Sequence, residues 1–120
     1  EVHGPMEGTT VEVDGSLSSQ FISGLLMALP RSKNSSQLTV SEMKSGPYIQ
    51  MTLNTLKQFG IQIENEGNSF KIPGNQSYQA ANYAVEGDWS SASYWLVAAA
   101  IGHPVSVSGL NMRSSQADKM

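Results

Sequence analysis

Cysteine is absent from this chain, which excludes disulfides and thiol catalysis at the outset. Histidine is almost absent: His3 and His103 stand far apart, too sparse to begin a metal site, and read as surface or loop residues. No metal role is expected of either. Charge is scarce too. Charged residues make up 14% of the sequence, the seven Lys and Arg are scattered singly, and the formal net charge is −3. That leaves no electrostatic footprint for a phosphate backbone, and nucleic acid is not expected as a partner. The longest unbroken apolar run, Tyr94 to Ile101, falls well short of the ~20 residues of a membrane span. No signal-peptide pattern opens the chain, so the expected setting is cytoplasmic, with no membrane partner.

What the chain has instead is a repeat. Val13-Asp14-Gly15-Ser16-Leu17-Ser18-Ser19 returns as Val85-Glu86-Gly87-Asp88-Trp89-Ser90-Ser91 at one constant offset. An apolar stretch without charge follows each copy, Gln20 to Leu29 and Ala92 to Ile101, and each then passes to an alternating run, Gln37 to Ser41 and Val105 to Ser108. A strand, a Gly turn, serines opening a helix and a returning strand make a β-α-β unit, and self-similarity at a fixed period marks repeated architecture. The fold class is therefore α/β.

Period-2 alternation marks strands at Thr10–Asp14, Leu38/Val40, Ile61/Ile63, Phe70/Ile72 and Val105/Val107. Ile61–Glu64 and Ser69–Ile72, flanking Asn65-Glu66-Gly67-Asn68, read as an antiparallel hairpin. Between Pro47 and Gly60, Ile49, Thr52, Leu53 and Leu56 recur at helical spacing, giving an amphipathic helix with one solvent face. The helices after the two serine turns carry no charge and are expected to be buried all round. The order is thus β-α-β-α-β-β over residues 1–78, with Pro73 to Tyr78 as the linker candidate. Residues 79–120 hold a second unit that begins β-α-β, with Ser114 to Met120 as the start of its next helix.

A helix that starts just after a strand and a Gly turn presents unpaired N–H groups, and Ser16, Ser18 and Ser19 add hydroxyl donors at the same point. An oxyanion suits that arrangement, although on the motif alone one serine capping the helix, with the others solvated, is the plainer reading. In the second copy Asp88 stands in place of Ser16, and its carboxylate can satisfy those N–H groups itself. Nothing forms a nucleophile-His-Asp set, and no Lys follows the glycines as a phosphate loop requires. No catalytic residue is assigned.

Asp14-Gly15-Ser16-Leu17-Ser18-Ser19-Gln20-Phe21, Ser45-Gly46-Pro47-Tyr48-Ile49 with Thr52-Leu53, Phe59-Gly60-Ile61, Gly74-Asn75-Gln76-Ser77-Tyr78 and Glu86-Gly87-Asp88-Trp89-Ser90-Ser91-Ala92-Ser93-Tyr94 resemble, in that order, the 5-enolpyruvylshikimate-3-phosphate synthase family. The resemblance covers essentially the whole chain. It implies an inside-out α/β barrel of β-α-β-α-β-β units, of which this chain holds one complete unit and part of another, joined by an interdomain crossover. It implies a transferase of the shikimate pathway, on the way to aromatic amino acids, that moves the enolpyruvyl group of phosphoenolpyruvate to the 5-hydroxyl of shikimate 3-phosphate. It implies no metal and no organic cofactor, and it also implies roles. Ser18 and Ser19 hold the 3-phosphate, Gln20 reaches across both substrates, Ser45 is a further phosphate donor and Tyr48 lines the substrate ring. Gly46 stands where the family usually has Lys or Arg, and Ala117 where a Gly is common. The family's substrate-binding Lys and Arg near its start and its acid/base groups toward its end have no counterpart here. The chain therefore reads as a central slice of the enzyme, inactive in isolation and expected to pair with a second copy. Two other readings stay open: a non-catalytic anion-binding module of the same fold, and a UDP-amino-sugar enolpyruvyl transferase, whose turn does not usually carry Ser-Ser-Gln.

Overall fold

A computed structural model describes Glu1 and residues 3–119, which divide into two compact units, Glu1–Ala81 and the segment from Asn82 onward. In the first unit, strand β1 (Thr10–Asp14) leads into helix α1 (Ser19–Ala28) and a 3₁₀ turn at Leu29–Arg31. Strand β2 (Ser36–Ser41), helix α2 (Gly46–Gln58) and strands β3 (Glu64–Glu66) and β4 (Ser69–Ile72) follow. This is the β-α-β-α-β-β order expected from the sequence. The sheet order is β1-β2-β4-β3, with β1 parallel to β2 and the other pairs antiparallel. A parallel pair needs a crossover element, and α1 supplies it.

The register pairs Asp14 with Ser41, so β1 and β2 end side by side. Both helices start from that edge, and their N-termini are brought to the same end of the sheet. Gly15 allows the turn: its N–H donates to the Ser41 carbonyl at 2.8 Å, and a Cβ there would come within 2.7 Å of Val40 Cγ1. One face of the sheet carries Leu38, Val40, Phe70 and Ile72 against Ile22, Leu26, Ile49 and Leu56, and these form the core. Helix α2 closes with Gly60 at φ +80°; Gly60 N–H reaches the Lys57 carbonyl and Ile61 N–H the Leu56 carbonyl, while Ile61 and Leu56 are both buried. That is a Schellman closure with its apolar contact, as the Gly60 signal implies.

Three local expectations need correction. The hairpin pairs Glu64 with Lys71 and turns at Gly67-Asn68, so Asn65 and Glu66 belong to a strand rather than to the loop. Gly67, at φ +65°, lets two residues do the work of four. Helix α1 is buried only along Ile22 and Leu26, while Phe21 is 63% exposed, because the unit offers it a single apolar sheet face. Pro73 to Tyr78 is no loose linker. Asn75 N–H donates to the Ser32 carbonyl, Gln76 N–H to the Pro30 carbonyl, and the Gln76 side chain pairs with both backbone groups of Gln62. Its polarity satisfies the backbone of the first unit.

The second unit is built on helix α3 (Trp89–Ala100). Among the described residues neither Tyr83–Glu86 nor Val105–Ser108 forms a strand, contrary to the alternation in the sequence. A strand is defined by a hydrogen-bonded neighbour, and the bond from Gly87 N–H to the Gly109 carbonyl, 3.1 Å, is what joins these segments. Ser114 to Lys119 carries a 3₁₀ turn at Ala117–Lys119 rather than an α-helical start; Met120 lies outside the described residues. Here polar groups hold the fold. The Gln116 Oε1 accepts Trp89 N–H at 2.8 Å, and its Nε2 donates to the Gly87 carbonyl and to Glu86. Ser114 also donates to Glu86, at 2.6 Å. Ser114 and Gln116 are both buried.

Candidate functional site

Helix α1 opens with Ser18 in extended conformation, its hydroxyl accepting the Gln20 N–H at 3.1 Å. This is the capping role weighed from sequence, and it is compatible with ligand binding because the Ser18 proton is not used in it. Helix α2 opens differently. Ser45 occupies the position before the helix with φ +58°, and its side chain makes no capping bond. Its hydroxyl therefore does not cap the helix; the cap position is held by backbone alone, with the Ser45 carbonyl accepting Tyr48 N–H at 3.0 Å. A left-handed conformation at a residue with a Cβ costs about 1–2 kcal/mol. Glu42, at φ +46°, shares it, so the loop between β2 and α2 holds two such residues.

Ser18, Ser19, Gln20, Ser45 and Tyr48 all line one cleft of about 430 Å³ between α1 and α2. Parallel strand ends bring these helix starts together, and a ligand crevice beyond the carboxyl ends of parallel strands is the usual outcome of such topology. Ser19 and Ser23 line one wall a helical turn apart, while Tyr48 and Thr52 line the other; Met27 and Met51 complete it. Ser23 and Thr52 were not singled out from sequence. Their signal was available, since both lie four residues along a helix from an assigned residue and so share its face.

Ser16 faces the other way in its bonding: its N–H donates to Asp14 Oδ1 at 2.8 Å. That bond, with a second from the Ser16 side chain and the nearby Lys44 charge, lowers the Asp14 pKa. Ser16 is absent from the cleft wall, so the three-hydroxyl cluster reduces to Ser18 and Ser19 from α1, joined by Ser45 from α2. Gly46 has open space where a Cβ would be, so no steric need explains glycine there.

The second turn is chemically different. Asp88 caps α3, accepting Ser90 N–H at 3.0 Å and Ser91 N–H at 3.2 Å. The Ser91 hydroxyl, ahead of these backbone bonds, lowers its pKa. The Ser90 hydroxyl donates to Asp118. The Asp88 carboxylate thus satisfies these N–H groups itself, as the exchange of Ser16 for Asp88 suggested. Among the described residues no cluster of three or more His, Asp or Glu is arranged for a metal ion, and no helix is long and apolar enough to cross a membrane.

Fold and cleft together define an α/β protein with a polar crevice at the start of two helices. The family model for EPSP synthase (3-phosphoshikimate 1-carboxyvinyltransferase) matches residues 1–120, and the chain belongs to that family. It is 45% identical over 118 residues to the 3-phosphoshikimate 1-carboxyvinyltransferase of Haemophilus influenzae, covering 96% of this chain and 27% of the relative. Against the enzyme of that name from Pseudoalteromonas atlantica the identity is 50% over 117 residues, covering 94% and 27%. The solved EPSP synthase of Acinetobacter baumannii superposes with a TM-score of 0.58 at 29% identity, over 80% of this chain and 20% of that one. The chain spans about a quarter of the length of these relatives.

Proposed function

We propose that this chain supplies the shikimate 3-phosphate side of a 3-phosphoshikimate 1-carboxyvinyltransferase site, in the reaction that joins the enolpyruvyl group of phosphoenolpyruvate to the 5-hydroxyl of that substrate and releases phosphate. In this reading Ser18, Ser19 and Ser45 donate to the 3-phosphate, Tyr48 lies along the ring, and Gln20 reaches toward the phosphoenolpyruvate side. The carrying observation is that five residues from two separate motifs line one cleft. The left-handed backbone at Ser45 adds support, since strain of this kind gathers at binding sites. The reading includes a cytoplasmic location, a crossover between domains near Gly74 to Tyr83, and no nucleic acid or membrane partner. Titration of shikimate 3-phosphate, followed by amide shifts, tests it. Wild type should respond at Ser18–Gln20 and Ser45–Tyr48, and Ser18→Ala/Ser19→Ala should respond at least tenfold more weakly; equal responses overturn the assignment.

No catalytic group is assigned to this chain, so on its own it should release no phosphate from the two substrates above background. General acid and base groups are typically worth ~10²–10⁴-fold in rate. Pairing with a second copy also belongs to the proposal. Trp95, Val97 and Ile101 of the second unit are 62%, 61% and 73% exposed. Covering a side chain of this size is worth ~1.5–3 kcal/mol. Light scattering across a concentration series should show the mass rising toward a dimer, and a constant monomer mass would remove this part.

A further inference from the structure

The motif Gly74-Asn75-Gln76-Ser77-Tyr78 contributes nothing to the cleft wall. It runs past the far ends of α1 and α2 instead. On the α1 side Tyr78 Oη donates to the Met27 carbonyl at 2.6 Å, Gln76 N–H donates to the Pro30 carbonyl at 2.8 Å, and Arg31 donates to the Gln76 carbonyl at 3.2 Å and to the Ser77 hydroxyl at 3.3 Å. On the α2 side the next residue, Gln79, donates its N–H to the Phe59 carbonyl at 2.8 Å, and a Cβ on Gly60 would meet its Cγ at 2.7 Å. Residues 76–79 therefore strap the end of one helix to the end of the other.

Met27 is in the last turn of α1, where carbonyls turn to partners outside the helix. Water would satisfy that carbonyl as well as a phenol does; what the phenol adds is a fixed place. Met27 itself lines the cleft. Helix α1 has ten residues and is about 15 Å long, and at its middle Ser23 Oγ lies 2.9 Å from Thr52 Oγ1 of α2. A stiff helix pinned at its middle turns as a lever, so a displacement at Met27 is carried to Ser19. We propose that Tyr78 is a positioning residue for the cleft, holding the Met27 end of α1 so that Ser18 and Ser19 keep their spacing from Ser45 and Tyr48. Tyr78 acts through α1 and touches no ligand. The inference rests on the reading that those four residues bind a ligand, and it adds the device that sets their spacing.

Tyr78→Phe in the full chain removes the hydroxyl and little else. A bond of this kind favours the held position of the helix end about 3- to 10-fold, so its loss lowers the competent population, and the apparent affinity with it, by up to that factor. Titration with shikimate 3-phosphate, followed by amide shifts, should show that loss in a chain that stays folded. Before ligand is added, the variant should already shift the Ser19–Ser23 amides. Gly67→Ala is the control for stability: it strains a hairpin turn at φ +65° where a Cβ meets nothing, away from the strap, and should lower the unfolding midpoint while leaving affinity within about twofold. Wild-type affinity in Tyr78→Phe, or ligand-free shifts confined to Met27–Ser32 and the strap, would make the hydroxyl a local cap and overturn the proposal. An equal affinity loss in Gly67→Ala would trace the effect to stability and overturn it too. If Tyr78→Phe gives no dispersed amide spectrum, Gln76→Leu, which frees the strap from Gln62, decides by the same two readouts. A wild type that gives no shift at Ser18–Gln20 with shikimate 3-phosphate removes the ligand reading instead, while the ligand-free comparison still decides whether Tyr78 holds the lever.

Discussion

The turn at Gly15 and the turn at Gly87 share a sequence and a backbone device, yet a neutral hydroxyl caps the first helix and a carboxylate the second. In both, the glycine N–H bonds to a carbonyl of the returning segment, Ser41 in one and Gly109 in the other, and a Cβ would meet atoms at 2.7 Å. The helix starts then diverge. Ser18 caps α1 with a neutral hydroxyl, whereas Asp88 caps α3 with a carboxylate that accepts from two N–H groups. The repeat keeps its glycine but not its helix start: Asp88 corresponds to Ser16, so α3 begins two repeat positions earlier than α1, because close packing constrains the glycine while more than one nearby residue can serve as the cap.

The largest expected effect comes from breaking the shared device. Gly15→Ala should destabilise the first unit by about 1–3 kcal/mol, since its new Cβ meets Val40 and the Ser41 carbonyl within a packed core. Denaturant unfolding read by far-UV circular dichroism measures it, and an unchanged midpoint would show that the turn tolerates a side chain. Next in size is conversion of the open turn into the closed one. Ser18→Asp keeps a good cap but places a carboxylate at the helix start, and should weaken phosphate binding tenfold or more; retained affinity would sink the contrast between the turns.

The reverse exchange, Asp88→Ser, should give the second turn measurable affinity for inorganic phosphate, with new amide shifts at Ser90 and Ser91. Silence at those amides would mean that the carboxylate is not what closes it. A few-fold gain at low salt is expected of Gly46→Lys, because open space there accepts the side chain and adds a cation near Ser45. Equal phosphate affinity in the two proteins would leave Gly46 without electrostatic consequence.

The smallest effect is acid sensitivity. Asp88 has a folded pKa below its ordinary 3.8, so its contribution to stability is present above 3.8 and lost as the pH falls through the folded value. Glu86, held down chiefly by the Ser114 hydroxyl, then by Gln116, titrates with the same sign. Both tryptophans, Trp89 and Trp95, lie in α3, so fluorescence reports this unit. Asp88→Asn should shrink the acid transition in fluorescence without abolishing it, and an identical transition would assign the whole effect to Glu86.

Much of this was legible in the sequence because it depends on local chemistry. Pro47 and Gly60 bracket α2 through their fixed and free φ angles, and Leu38, Val40, Phe70 and Ile72 alternate because one sheet face is buried. The serine turns announce helix starts. Alternation misled at Val105–Ser108, where no neighbouring strand pairs with it among the described residues, and the absence of charge misled at α1, where one face alone is covered. Polarity misled at Pro73–Tyr78, where side chains and backbone are bonded to the unit they cross.

By itself, then, the sequence determined the α/β class and the repeat, because propensity and periodicity are local properties of a chain, and its ordered motifs carried the family resemblance that implied the five candidate residues. Tertiary structure alone decided that β1 and β2 end in register, which places two helix starts distant in sequence on one cleft. It also decided that the hydroxyls of Ser23 and Thr52 meet, since Ser23 lies on α1 and Thr52 on α2, and only packing brings their oxygens to 2.9 Å.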